Sequence, residues 1–236
     1  MVPVLLLHGS GPGTTAAAWN PLVEALGERF EVIAPDLPGF GSEPKGPGPL
    51  GWSSWVEGLV DEPCAVVGNS AGGALALMLA ARGLATKVVA VGSMGYPMPL
   101  PAGLDALWGI GPTEAEARAL LDLLFYDPPG DEAVAARLEA MRAQPQYREL
   151  FPAPRQRWVD ALSLSDAELA SIEAPVLLIH GIDDPIVPPE HSVIPLLHTL
   201  PNARAHLFGR CGHASPLEYT AEFNRLVATF LETPNV

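Results

Sequence analysis

A chain of 236 residues, 48% apolar and 17% charged, is long enough for one sizeable core and too apolar to be disordered. Its net charge of −14 leaves no basic patch for phosphates, which argues against a nucleic-acid partner and, more weakly, against an anionic membrane surface. Two cysteines, Cys64 and Cys211, make no disulfide framework, and neither a secretory leader nor an apolar run of the ~18 residues that cross a bilayer is present, so a cytoplasmic protein is expected.

Val4-Leu5-Leu6-Leu7 is a continuous apolar run, the pattern of a strand covered on both faces. It runs into His8-Gly9-Ser10-Gly11-Pro12-Gly13, a glycine-rich loop whose backbone N–H groups can line a site. Residues 16–30 place Trp19, Leu22, Val23 and Leu26 on one face and are read as one amphipathic helix. A strand over 31–35, a turn over 36–41, a Pro- and Gly-rich loop over 43–51 and a short helix from Trp52 to Val60 follow. Cys64 to Val67 is the next strand, Ala74 to Ala81 a helix, and Lys87 to Gly92 another strand.

This alternation predicts an α/β fold with a mostly parallel, doubly wound sheet. It stops at Ser93. From there to Ala174 only helical segments are found, over 114–125, 131–143 and 155–162. The stretch 93–174 is therefore read as a helical lid inserted into a core made of 1–92 and 175–236. The alternation resumes with a strand over 175–179, a helix over 192–200, a strand over 203–208 and a helix over 220–231.

The chemistry centres on Gly68-Asn69-Ser70-Ala71-Gly72. A strand precedes it and a helix follows, which is the context of a nucleophile elbow. Glycines at both ends let strand and helix pass close while the serine hydroxyl is lifted above the sheet. A serine needs a base. Of six histidines, His213 lies between the last strand and the last helix, at the sheet end that holds Ser70. His8 and His180 end strands and are read as structural; His191 and His198 fall on a helix and His206 in a strand. A base that gains charge needs a carboxylate to orient it. Asp183 and Asp184 both follow a strand; Asp184 is preferred, with Asp183 as a turn or capping residue. The oxyanion hole is assigned to the backbone N–H groups of Ser10 and Ala71.

These segments, with Pro35-Asp-Leu-Pro-Gly-Phe-Gly41, His180-Gly-Ile-Asp-Asp-Pro-Ile-Val-Pro188, Gly103-Leu-Asp-Ala-Leu-Trp-Gly109 and Phe151-Pro-Ala-Pro-Arg-Gln-Arg-Trp-Val-Asp160, resemble the meta-cleavage-product hydrolases. These are α/β-hydrolases that split a carbon–carbon bond in ring-opened catechols. The resemblance implies a cofactor-free, metal-free enzyme acting on a 2-hydroxy-6-oxo-dienoate. It places Arg137 at the acidic end of the substrate and Asn69 beside the nucleophile, with Gly9 and Gly11 completing the substrate-contacting set. The expected partner is a small molecule; a homodimer is compatible with the sequence.

Three departures stand out. The two strands the family carries ahead of Val4 have no counterpart, the stretch 42–52 is short, and Ala214-Ser215-Pro216 stands where the family has tryptophan and then a polar residue. The last implies a roomier pocket. A carboxylesterase is the rival enzyme, since the same triad cleaves esters, and a non-catalytic ligand-binding protein on the same fold is the rival outside catalysis.

Overall fold

A computed structural model describes residues 2–46 and 48–234. Six strands make one sheet: β1 (Val2–Leu7), β2 (Phe30–Ile33), β3 (Cys64–Asn69), β4 (Ala85–Val91), β5 (Val176–Gly181) and β6 (Ala203–Phe208). They lie in the order β2-β1-β3-β4-β5-β6, and every pairing is parallel. Register brings Leu7 level with Gly68, Asn69 with Val91, Val91 with Ile179, and Gly181 with Phe208. The carboxyl ends of five strands thus share one edge, where open α/β sheets bind ligands.

The continuous apolar runs are explained by burial on both faces. Leu5, Leu7, Val66, Val88 and Leu178 point to one face. There they meet α2 (Pro49–Glu57) and α3 (Ala71–Ala81). Val4, Leu6, Val67, Val89, Leu177 and Ile179 point to the other, against α1 (Asn20–Leu26) and the C-terminal helix, through Leu22, Leu26, Phe223 and Val227. The helix α3 is buried on all sides from Ala71 to Ala80, so it has no polar face.

Between β4 and β5 the described chain is helical: α4 (Ala102–Gly109), α5 (Glu114–Leu124), α6 (Asp131–Arg142), α7 (Gln156–Ala161) and α8 (Asp166–Ala170). An aromatic cluster fastens this segment to the core. Trp108 stacks on Phe151 with ring centroids 4.6 Å apart, and Phe151 also meets Trp52 of α2 and Tyr147, which meets Phe40. After β5 come α9 (Val193–Thr199), α10 (Ser215–Glu218) and α11 (Thr220–Glu232).

Several expected elements are corrected. The single helix over 16–30 is a 3-10 turn (Ala16–Trp19), α1, a second 3-10 turn (Gly27–Arg29) and the first residue of β2. Pro21 sits in the first turn of α1, where proline is tolerated, and Gly27 ends it with φ +55°. The helix expected from Trp52 starts instead at Pro49 and stops before Gly58. The short helices α4, α8 and α10 carry too few turns for a periodic signal. Among the described residues no helix is long and apolar enough to cross a membrane.

Candidate active site

The turn at Ser70 is as sharp as its glycines suggest. Ser70 has φ +55° and ψ −117°, a region that costs a non-glycine residue about 1–3 kcal/mol. The neighbours leave no choice of residue. A Cβ on Gly68 would lie 2.1 Å from the Gly72 carbonyl oxygen, and one on Gly72 would lie 2.1 Å from the Leu7 oxygen. The Ser70 N–H is anchored to Val91 O at 2.8 Å. Ala71 opens α3, so its N–H has no acceptor within the helix.

Val91 leads directly to Gly92, and Gly92 touches the other half of the site. An added Cβ there would lie 3.1 Å from His213 Nδ1 and 3.4 Å from Asp184 Oδ2. His213 Nδ1 itself lies 2.7 Å from Asp184 Oδ2, both side chains being buried. The other oxygen, Oδ1, accepts the Ile186 and Val187 N–H groups at 2.8 and 3.0 Å. Burial would push this carboxyl up, but the adjacent His213 and the hydrogen bonds from His180 and His213 outweigh it and hold it well below the usual carboxylate range. Asp184 is therefore a fixed anion whose partner must donate Nδ1–H, which leaves Nε2 of His213 as the free basic nitrogen.

Asp183, the alternative carboxylate, does something else. Its Oδ2 accepts the Cys211 N–H at 3.3 Å, and its own N–H donates to Cys211 O at 3.0 Å, tying the aspartate loop to the histidine loop. Cys211 is no nucleophile: burial first, and then Glu218, push its thiol up.

A cavity of about 450 Å³ opens over this edge. His8, Gly9, Asn69, His213 and Ala214 line it from the sheet edge, and α5 and α6 supply Leu121, Leu124, Ala133, Ala136 and Arg137. The wall takes in Gly9, Asn69, Arg137 and His213 of the expected residues but not Ser10, Gly11, Ser70, Ala71 or Asp184, so Ser70 lies beneath Gly9 and Asn69 rather than in the wall itself. A Cβ on Gly9 would crowd Asn69 Oδ1 at 3.0 Å and the Ser70 Cβ at 3.1 Å, so this position packs tightly over the nucleophile. Asn69 is held by its Nδ2 donating to Val91 O at 3.1 Å.

Arg137 is the only permanently charged side chain among the described lining residues. Nη1 donates to Pro12 O at 3.3 Å, and no carboxylate lies within 4.0 Å of it among the described residues. Burial opposes its charge, yet a guanidinium stays protonated in proteins. An unpaired, half-buried cation in an apolar wall selects an anion.

Several residues that the chain order concealed shape this site. Ser10, expected to offer its N–H, is also gripped from the helical segment: its Oγ accepts from Trp108 Nε1 and its carbonyl from the Tyr147 hydroxyl, both at 3.0 Å. Gln144 bridges the same loop, accepting from Gly13 N at 3.1 Å and donating to Thr14 O at 2.9 Å. His8 donates from Nδ1 to Gly9 O at 2.8 Å and accepts the Leu37 N–H at Nε2, which makes it a buried, neutral brace for the loop. These partners lie up to 137 residues apart in the chain, so no local pattern announces them.

Comparison with known proteins places this geometry. The model of the alpha/beta hydrolase family matches residues 4–226. The 2-hydroxymuconate semialdehyde hydrolase of Pseudomonas sp. strain CF600 is 40% identical over 246 residues, covering 97% of this chain and 86% of that protein. The 2-hydroxy-6-oxo-2,4-heptadienoate hydrolase of Pseudomonas putida strain F1 is 40% identical over 245 residues, 97% and 88% of the two chains. Among solved structures, a serine-to-alanine variant of the meta-cleavage product hydrolase from Pseudomonas fluorescens IP01, complexed with acetates, superposes with a TM-score of 0.91 at 38% identity over 98% of this chain and 90% of that one. The chain is a hydrolase of the α/β-hydrolase family and belongs to its meta-cleavage product branch.

Proposed function

We propose that the protein hydrolyses a carbon–carbon bond next to a ketone in a 2-hydroxy-6-oxo-dienoate. Ser70 is the nucleophile, His213 the base and Asp184 the carboxylate that orients it. The dienol is first ketonised by moving its hydroxyl proton to carbon. The Ser70 oxygen then attacks the C6 carbonyl while Nε2 of His213 takes its proton. Backbone N–H groups of Ser10 and Ala71 receive the developing oxyanion. The C5–C6 bond breaks, its electron pair leaves with the dienoate fragment, and the fragment picks up a proton as 2-hydroxypenta-2,4-dienoate. Water, deprotonated by His213, then releases the acyl group from Ser70 as a carboxylic acid.

The observation that carries this reading is the lone guanidinium of Arg137 in the wall of the cavity that also exposes His213. A small neutral ester leaves that charge unused, whereas the substrate's carboxylate satisfies it. The names of the relatives point to the same substrate class. The helices between β4 and β5 act as a lid over the site, and Ala214 is part of the wall beneath them.

Two substrates test the reading. The enzyme should discharge the yellow absorbance of 2-hydroxymuconate semialdehyde far more efficiently than it releases p-nitrophenol from its acetate or butyrate ester. Rapid ester turnover with the dienoate untouched would make the protein a carboxylesterase instead. Ser70→Ala should abolish both activities; a wild-type protein that binds the dienoate tightly and turns over neither would be a ligand-binding protein.

A further inference from the structure

His180 is the penultimate residue of β5 and only 1% exposed. Strand-ending histidines often serve the backbone, and this one does so in part: Nε2 lies 2.8 Å from Val187 O. The same nitrogen also lies 3.3 Å from Asp184 Oδ2. Both neighbours are acceptors, so Nε2 must carry its proton; it bonds Val187 O and stands beside Oδ2. The Oδ2 atom is the one that holds His213 Nδ1 at 2.7 Å. Asp184 thus accepts three hydrogen bonds, from Ile186 and Val187 N–H on Oδ1 and from His213 on Oδ2, and the His180 N–H stands against Oδ2 as a fourth polar contact at 3.3 Å.

We propose that His180 is a positioning residue of the Asp184–His213 pair, whose Nε2–H draws on the same carboxylate oxygen that holds His213 and so loosens the hold of Asp184 on the base. The proposal rests on His213 acting as the base and Asp184 as the carboxylate that orients it, but not on which bond the enzyme cleaves.

The physical reason is the division of one oxygen's charge. A hydrogen bond to Oδ2 disperses part of the carboxylate's negative charge. The imidazolium that forms on His213 leans on that same charge. With the His180 donor present it is stabilised less, so it gives up its proton more readily. With the donor removed, Oδ2 belongs to His213 alone, the imidazolium persists to higher pH, and the acid limb of the rate profile moves up.

The other charged groups near the pair face elsewhere. On the aspartate loop, Asp183 turns to Cys211 N. On α10, Glu218 accepts from Gly212 N and from the Cys211 thiol. The helix α4, packed on Pro185 through Gly103, pairs its Asp105 with Arg155. Gly92, the contact from the end of β4, brings no charge at all. His180 is therefore the one ionisable neighbour besides His213 in contact with the Asp184 carboxylate among the described residues.

The experiment compares kcat/KM across the acid range for wild type, His180→Phe and His180→Gln, on whichever substrate the wild type turns over. His180→Phe keeps the ring's bulk and loses the donor. Its acid limb should move to higher pH by about half a unit to one unit. His180→Gln, whose amide can reach only one of the two acceptors well, should move the same way by less. An acid limb that stays put, or moves down, while activity merely falls would make His180 a brace for the Val187 loop and overturn the proposal. Should the phenylalanine variant not fold, the glutamine variant decides alone: an upward shift supports the proposal and none refutes it. His213→Ala is the separate control. Near wild-type activity there would sink the assignment of the base itself, whatever His180 does.

Discussion

The Tyr126 N–H, just beyond the C-terminal end of α5, donates to the Glu218 carboxylate of α10 at 2.8 Å. The other carboxylate oxygen accepts Gly212 N at the same distance, one residue before His213. Ala214 N adds a bond to Leu124 O at 3.0 Å. Glu218 thus clamps the helical segment to the loop that carries the base. Glu218→Ala should strand the Gly212 donor at a cost of about 1–3 kcal/mol, while the exposed Tyr126 N–H turns to water. A lower melting temperature together with a lower kcat, partly restored in Glu218→Gln, is the expected outcome. A variant that melts like wild type would show that water replaces the carboxylate at both donors.

His8 makes stability fall in mild acid. Burial, only partly offset by its bond to Gly9 and by Asp36, lowers it from 6.5 to about 4. Its folded value lies below its unfolded one. In the window from 6.5 down to about 4 the unfolded chain therefore binds a proton that the folded chain refuses. Stability is fully present above that window and declines through it, by up to about 1.4 kcal/mol per pH unit from this one group. Thermal melts of wild type and His8→Gln across the window are the check. The variant should start lower, having lost a brace, but fall less steeply; parallel slopes would mean that other groups govern the acid limb.

The elbow was legible in the sequence because its demands are local: a serine in strained backbone between Gly68 and Gly72, after an apolar run and before a buried helix. The parallel sheet was legible for the same reason, since burial on both faces writes itself as unbroken apolar strands. What escaped were features set by distant contacts. Nothing near residue 180 indicates that its histidine will share Asp184 with His213. Nothing near Gln144 marks it as the bridge to Gly13 and Thr14. The helix over 16–30 failed differently. Its apolar spacing was real, but Pro21 and Gly27 confined the regular part to seven residues, and backbone chemistry overrode the periodicity.

Arg137 should separate the two substrate classes. Its guanidinium has no carboxylate partner among the described residues, so its removal leaves no orphaned anion behind. A charge-assisted hydrogen bond is worth about 1.5–3 kcal/mol, or roughly ten- to a hundredfold in binding. Arg137→Ala should raise KM for a dienoate by that factor and leave ester cleavage within about twofold. Arg137→Lys, which keeps the charge but not the planar fork, should fall between. Equal losses on both substrates would take Arg137 out of the binding site and make it a support for the Pro12 loop.

Gly92 tests the His213–Asp184 pair without touching either residue. Its φ of +47° strains any L side chain, at about 1–2 kcal/mol. An alanine Cβ would also stand 3.1 Å from His213 Nδ1, 3.2 Å from Cε1 and 3.4 Å from Asp184 Oδ2. Both groups belong to a buried pair with a 2.7 Å contact, so relief must come from rotating the imidazole or moving the loop. A misplacement of an ångström can cost about a hundredfold in rate, and a few tenths should cost about tenfold in kcat. KM should change little, because the cavity wall does not include Gly92. Gly209→Ala is the matched control: it lies on the same histidine loop, yet its added Cβ meets nothing within 4 Å, so kcat should hold. If Gly92→Ala and Gly209→Ala share wild-type kcat, the imidazole has slack that a fixed catalytic pair does not allow.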